Sequence, residues 1–440
     1  MSSYLVSLVR YTTPLASVKK AVETCNGLDR MPSGAKVFIK PNIVFWTKAV
    51  PFPKWGVVTT SRVVHDMVLM LKELGVQDIT IGEGTVVLDP KDRETQSHAY
   101  MSLGYNELEK RYGVKLVNVF ERPFRKIEIE DGVALDFNVD VLNSDFLVNL
   151  PVLKTHAQTV VSLGLKNVKG TINVNSRKKC HDVTNGLDLH GMVSRLHEKL
   201  PPSLTLIDGI FSLERGPGFD GKARRTDLLI ASGDMLSADL VGAKVLGYDA
   251  TRTPHIAQAC DRRGRPLDLS DIEIRGERLD DATSHHEYAF EYNEANTLPL
   301  PMEKMGISGI AYPKYDLTLC TYCSLLNGAI IASIAYAWKG KPWPDVEVLT
   351  GKLMKPSEGK KTVLVGKCLY AANKDHPGID DMLVVKTCPP SPRAVLDALD
   401  QAGVKVDPSI LLNLDGFPGA SMKKYKGKAE FDDAFFRIDA

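Results

Sequence analysis

Short apolar runs, each stopping at a polar or glycine-rich residue, alternate with helical patterns through the first 250 residues of the chain. This alternation constrains the fold more than any other feature. Lys36-Val37-Phe38-Ile39 ends in Lys40-Pro41-Asn42, and Asp78-Ile79-Thr80-Ile81 ends in Gly82-Glu83-Gly84. Phe146 to Leu150, Leu204 to Ile207 and Leu228 to Ile230 are further strand candidates. Ser61 to Leu74 places Val63, Val64, Met67, Val68, Leu71 and Leu74 at helical spacing, and Gly75 follows where a left-handed helix stop belongs. Strands separated by helices pack as a mostly parallel sheet with helices on both faces, because parallel neighbours need long crossovers. In such a sheet ligands sit beyond the carboxyl ends of the strands. Those ends carry Lys40, Asn42, Glu83, Lys154 to His156, and Asp208.

A chain of 440 residues exceeds one ordinary core, so the reading is two α/β domains, residues 1–310 and 311–440, each a mostly parallel sheet flanked by helices. The stretch 250–315 is rich in charge and turn residues, and Ile272-Glu273-Ile274 is expected to return to the first sheet as a strand. The formal charge of +1 gives no net field toward nucleic acid. The N-terminal residues lack a basic segment followed by a long apolar one. The longest apolar run, Leu325 to Trp338, is broken by Asn327 and Ser333 and is too short to span a bilayer. These points predict a cytoplasmic protein with no membrane span and no nucleic-acid partner.

Seven cysteines in such a chain suggest metal before disulfides. Cys320 and Cys323 form a C-x-x-C after an extended segment, Cys368 follows the strand candidate 362–367, and Cys388 follows 382–387. If these strands are parallel neighbours, four thiols meet at one edge of the sheet. Ser391 and Pro392 suit the N-cap and first residue of a helix over 393–402, whose free N–H groups would face a negatively charged centre. Four thiolates suit a 4Fe–4S cluster or zinc, and one pair plus two distant single cysteines at strand ends is more typical of the cluster. Free or redox-active thiols are the third reading. Cys25, Cys180 and Cys260 read as buried structural residues.

Around Lys154-Thr155-His156 the chain also carries Thr159, Ser162, Lys166, Asn167 and Lys169. Lysines, hydroxyls and an amide close together suit an anionic small molecule. If the stretch is helical, His156, Thr159 and Ser162 share a face. His156, Lys154 and Lys166 are the candidate catalytic groups, with His156 as general acid or base. Lys40, Asn42, Glu83, Thr155, Thr159, Asn167, Lys169 and Asp208 are candidate ligand-binding residues. The plain alternatives are lysines complementing a helix C-terminus and a hydrogen-bonded structural histidine. His181, Asp182 and His190 are candidate metal ligands without a tight motif, His285-His286 reads as a solvated linker, and Arg215 to Gly221 reads as a flexible lid.

The segments Ile39 to Asn42, Gly82 to Gly84, Pro151 to His156, Leu165 to Gly170, Asp208-Gly209 and Ala231 to Asp234 resemble the domain of unknown function (DUF) family 362. Some members of that family are fused to iron–sulfur modules, which fits the later cysteines. Gly366-Lys367-Cys368 and Cys388-Pro389-Pro390-Ser391-Pro392 are similar to the cluster-binding small subunits of respiratory complex I and nickel–iron hydrogenases. That resemblance implies a 4Fe–4S cluster held at the strand ends of a flavodoxin-like C-terminal unit. It departs at Cys320 and Cys323, which are two residues apart where the complex I subunit has adjacent cysteines. More distantly, the first domain resembles the nickel-dependent lactate racemase family, with no functional residue matched. The expected activity is a reductase-type redox enzyme of an anaerobe, with a redox partner protein. The alternatives are a non-catalytic electron-transfer or scaffold subunit, and an isomerase or racemase with a structural cluster.

Overall fold

The computed structural model describes residues 4–89, 91–121 and 123–438. At the centre of its larger sheet Val37–Pro41 is buried on both faces and pairs in parallel with Phe146–Leu150 on one side and Ile79–Glu83 on the other. Lys115–Asn118 extends the parallel run beyond Ile79–Glu83, and Ser203–Glu214 extends it beyond Phe146–Leu150. Ser203–Glu214 then pairs antiparallel with Lys222–Ser232, which pairs antiparallel with Tyr4–Arg10. Ile272–Gly276 closes that edge, parallel to Tyr4–Arg10, as its sequence suggests. The N-terminal segment, read in the sequence only for the absence of a leader, is therefore a strand of the main sheet.

The helix Ser61–Glu73 forms where its apolar spacing places it, capped by Thr60, whose hydroxyl accepts from the Val63 amide at 3.4 Å. Its face of Val63, Val64, Met67, Val68 and Leu71 packs into the main core. Leu153, Val161, Leu163 and Ile207 lie in a second core on the other side of the sheet.

Two expectations for the first domain change. The strand that reaches Asp208 does not end there but runs on to Glu214, with a bulge between Gly209 and Phe211. The region after Lys154 is not a helix. Val152–His156 and Val160–Ser162 form an antiparallel hairpin that pairs Lys154 with Ser162 and His156 with Val160. β-Branched Val152, Thr155, Val160 and Val161 favour extended backbone, which decides against the helical face. A short helix, Gly164–Asn167, starts only after the hairpin, its Gly164 and Leu165 amides donating to Asp239 at 2.6 and 2.8 Å.

The smaller sheet holds Ile310–Ala311, Val346–Thr350, Lys360–Val365 and Ile379–Val385, all parallel and in chain order. The helix Thr321–Ala337 supplies Leu326, Ile330 and Ile334 to its core, and Pro392–Gln401 supplies Val395 and Leu399. The helix Pro392–Gln401 is capped by Ser391, as its sequence predicts. Fold class is thus α/β with two mostly parallel sheets.

The packing divides less simply than a cut at residue 310. Leu298, Met302 and Ile307 already belong to the smaller core, while Tyr425, Phe436 and Ile438 pack into the larger one. The returning tail is held by aromatic contacts, with Trp55 and Tyr425 ring centroids 5.2 Å apart and Tyr425 and Phe431 4.6 Å apart. No helix among the described residues is long and apolar enough to cross a membrane. The apolar run from Leu325 instead lies within a 17-residue helix that lines a cavity between the two sheets.

A cationic cavity walled by the cysteine loop

Beyond the strand ends of the larger sheet lies a cavity of about 1220 Å³. Its floor is a buried polar network. Lys40 Nζ donates to Glu83 at 2.6 Å and to the Pro41 carbonyl at 2.7 Å, with both side chains almost wholly enclosed. Glu83 also accepts from the amides of Ile43 at 3.0 Å and Gly84 at 2.8 Å, and Arg177 stands 3.7 Å away. A buried carboxylate needs this many partners to stay charged. Lys154 Nζ donates to Asn42 at 2.6 Å and to the Val57 carbonyl at 2.8 Å. Asn42 donates to Asn167 at 3.0 Å, and Asn167 donates to Asn149 at 2.8 Å and to the Lys40 carbonyl at 3.2 Å. One network therefore fixes the ends of three neighbouring strands and presents Asn42, Glu83, Lys154 and Asn167 to the cavity.

Lys166, Lys169, His156 and Arg177 also line it. Burial among like charges lowers the affinity of these groups for protons. Burial pushes Lys154 down to about 7 and Lys169 to about 8, and holds Lys166 well below its ordinary value. Burial, helped by Lys166, Lys169 and Lys154, pushes His156 well below the usual imidazole range, so its ring is neutral near pH 7. Its Nδ1 accepts from the Gln158 amide at 3.1 Å, which assigns the proton to Nε2. His156 is thus a neutral hydrogen-bond donor rather than a cationic acid. An anion entering the site favours protonated lysines. Anion affinity is therefore expected to be highest where Lys154 and Lys169 are charged, below pH 7, and to fall by up to about tenfold per titrating lysine and pH unit between pH 7 and 9. Titration calorimetry with inorganic phosphate or acetate across that range reads this directly.

The four clustered cysteines lie at the carboxyl edge of the smaller sheet. Val365 and Val385 are partners on neighbouring parallel strands, and Cys368 and Cys388 each follow three residues later. Cys320 is the N-cap of the helix Thr321–Ala337, and Cys323 lies in its first turn. The C-x-x-C thus opens a helix, where its sequence suggested only an extended approach. All four are free of disulfides, and they are near enough for Cys320, Cys368 and Cys388 each to hinder ionisation of Cys323. The neighbouring Cys323 thiol, the amides of Cys323 and Tyr322 and the charge of Lys169 together hold Cys320 below the usual thiol range despite burial. The first-turn amides thus favour a thiolate at Cys320. Gly366, at φ +115°, leaves a gap in which an added Cβ would sit 3.5 Å from Cys323 Sγ. Gly366→Ala is expected to strain that backbone and lower the urea unfolding midpoint, while its added Cβ meets Cys323 Sγ only at ordinary van der Waals distance.

The loop before Cys320 is clamped from both sides. Asp316 accepts from the amides of Thr318 at 2.6 Å and Leu353 at 3.1 Å, and the Lys352 amide donates to Thr318 at 2.6 Å. From the larger sheet Gln158 donates to the carbonyls of Asp316 at 3.2 Å and Leu319 at 3.1 Å. His181 Nδ1 donates to the Leu317 carbonyl at 2.9 Å while its Nε2 accepts from Lys169 at 2.7 Å. Leu319 and Thr321, flanking Cys320, line the cavity. The cysteine loop is thus one wall of the cationic pocket.

Among the candidate residues the structure brings Lys154, His156, Lys166, Asn42, Glu83, Asn167 and Lys169 to the cavity. Lys40 supports Glu83 from beneath. Thr155, Thr159 and Asp208 do not line it. Thr155 donates to the Glu287 carbonyl at 3.0 Å, Thr159 to the Val161 carbonyl at 3.0 Å, and Asp208 accepts from the Thr60 amide at 2.7 Å. Asp208 is displaced because its strand continues past it.

His181, Asp182 and His190 do not converge: His181 and Asp182 hold Lys169 and Lys352, and His190 stacks on His255. Among the described residues no group of three or more His, Cys, Asp or Glu could hold a single metal ion. His286 is buried rather than solvated, paired with Ser212 at 2.8 Å. Arg215 to Asp220, read as a lid, borders the cavity. Arg177 and Gln158 were missed, since neither stands in a motif and only the assembled fold shows what they touch.

A strand-end cavity lined by lysines in a mostly parallel sheet, joined to a second parallel sheet, defines the class as α/β. Residues 37–244 match the family described as "Domain of unknown function (DUF362)". That span contains every residue of the polar floor. The chain is similar to a thylakoid-associated protein of Synechocystis sp., 25% identical over 247 residues, covering 55% of this chain and 73% of the relative. It is also similar to the lactate racemase apoprotein of Thermoanaerobacterium thermosaccharolyticum, at 14% identity and a TM-score of 0.32, covering 54% of this chain and 56% of that one.

Proposed function

We propose that the chain is an iron–sulfur protein in which Cys320, Cys323, Cys368 and Cys388 hold one 4Fe–4S cluster beside a cavity that binds an anionic small molecule, in a reductase-type enzyme. The observation that carries this reading is the shared wall: the loop leading to Cys320 is hydrogen-bonded by Gln158 and His181 and lines the cationic pocket. The residues fit a cluster. The four thiols are free, lie at strand ends and the first turns of helices, and are backed by Gly366. Zinc is less well served, because it needs its thiolates drawn tightly about one ion, about 2.3 Å from each sulfur.

A cluster held there would supply or accept one electron at a time. The chain's own groups do the rest. Lys166, Lys169 and Lys154 bind and orient the anion, and neutral His156 polarises it through Nε2–H. Lys154 and Lys169, held at about 7 and 8, can give up a proton near neutral pH. A net two-electron reduction then takes two electrons from a separate one-electron donor protein and its protons from these lysines. Exposure of Cys368 and Cys388 supports electron entry from that side.

Anaerobic purification followed by iron and sulfide analysis, and EPR before and after dithionite, tests the cluster. About four irons and four sulfides per chain and an S = 1/2 signal on reduction are expected. Zinc without sulfide would overturn the reading.

A further inference from the structure

The cavity is larger and greasier than a small anion requires. Typical small-molecule sites occupy about 300–1,000 Å³, whereas this one has about 1220 Å³. Its cationic floor takes up only one end. The remainder is walled by the helix Thr321–Ala337 and by apolar side chains such as Phe45, Leu88 and Phe417. Phe290, Met305, Tyr336 and Leu412 line the same cavity while being 38, 52, 69 and 45% exposed. Exposed large apolar side chains gathered on one opening mark a binding surface rather than scattered surface residues.

Gly328 carries the argument further. It sits in the middle of the 17-residue helix, where glycine is less favourable than alanine. An added Cβ would meet nothing within 4 Å, so close packing does not demand a glycine. Its backbone φ is not positive, so conformation does not demand one either. Gly328 lines the cavity, with Ser324 and Ala332 one helical turn to either side on the same face. The helix therefore gives up local stability to leave space. The carboxylate on the floor, Glu83, is held by Lys40 and Arg177 and not by Lys154, Lys166 or Lys169.

We infer that the cavity takes an amphipathic anion, with a carboxylate or phosphate head among Lys154, Lys166 and Lys169 and an extended apolar body running past Gly328 toward the mouth. This rests on the proposed anionic site and adds the second half of the ligand. Burying each methylene contributes about fourfold in affinity.

The test uses calorimetry on the anaerobically purified full chain with acetate, decanoate, decyl phosphate and decanol. Decanoate or decyl phosphate is expected to bind at least about a hundredfold more tightly than acetate, and the tighter of the two identifies the head group. Gly328→Leu, which also raises helix propensity, is expected to weaken the ten-carbon anions at least about tenfold and leave acetate unchanged. Ala332→Leu serves as an independent second filling. Lys166→Gln is expected to weaken the anions and leave decanol unchanged. Equal affinities for acetate and decanoate would overturn the amphipathic assignment and leave the anionic site standing. Decanol binding as tightly as decanoate would overturn the charged head. No binding by any anion would overturn both readings, independently of the cluster analysis.

Discussion

Under the proposed cluster assignment, replacing Cys388 by alanine is expected to remove iron and sulfide while the chain stays folded. Cys388 is exposed and lies beyond the end of its strand, so its side chain contributes little to the core. The thiol is nonetheless one of four that converge, and a cubane short of one protein thiolate loses a bond that no nearby side chain replaces. The expectation is loss of nearly all sulfide-bound iron and of the reduced EPR signal, with an unchanged far-ultraviolet circular dichroism spectrum. Cys368→Ala, also exposed, should behave alike. Cys323→Ala should remove the proposed cluster too, but Cys323 is buried, so its change also takes away an enclosed side chain. By contrast Cys260→Ala, in the core of the larger unit, should leave iron and sulfide intact. Retention of full iron and sulfide in the Cys388 variant would remove that residue from the ligand set.

Lys40→Met destabilises the folded protein by up to about 3–5 kcal/mol, because it removes the direct partner of a buried carboxylate and leaves it only Arg177 at 3.7 Å and two backbone amides. Lys40 is wholly enclosed, its ammonium 2.6 Å from Glu83. The methionine keeps the volume, so the loss reports the charge and not a cavity. Burial lowers the Lys40 pKa, and contact with Glu83 opposes that shift. Urea unfolding followed by circular dichroism measures the effect. The control is Lys48→Met, whose partner Glu94 is 82% exposed at the side chain; a surface pair of this kind contributes little, and its midpoint should not move. Equal midpoints for Lys40→Met and the unaltered chain would show that the floor of the cavity does not depend on this pair.

The local chemistry of the chain was readable wherever it depended on neighbours in sequence. Ser391 caps the helix that its position announces, and Gly75 follows the helix Ser61–Glu73 with a positive φ. Cys368 and Cys388 follow their strands, and parallel pairing of Val365 with Val385 sets them side by side. Lys154 and Lys166 reach the cavity because they follow or flank strand ends. Where the reading failed, two local tendencies competed. The hairpin after Lys154 won over a helix because β-branched residues found a partner strand, and Asp208 was lost to the site because a long strand found partners on both sides.

Cys368 and Cys388 follow apolar runs that parallel pairing sets side by side, whereas Cys320 and Cys323 open a helix. Three things lay outside the sequence and were decided by tertiary structure alone. The tail from Tyr425 to Ile438 crosses back to the larger core, through aromatic contacts that have no periodicity to reveal them. Gln158 and His181 tie the cysteine loop to the lysines through hydrogen bonds to backbone carbonyls, which any sequence would offer equally. The apolar run from Leu325 became the wall of a cavity, because two separate sheets had to pack before its small residues faced empty space. Residue types and strand ends fix which groups are available; only the packing of distant segments decides which of them face one another.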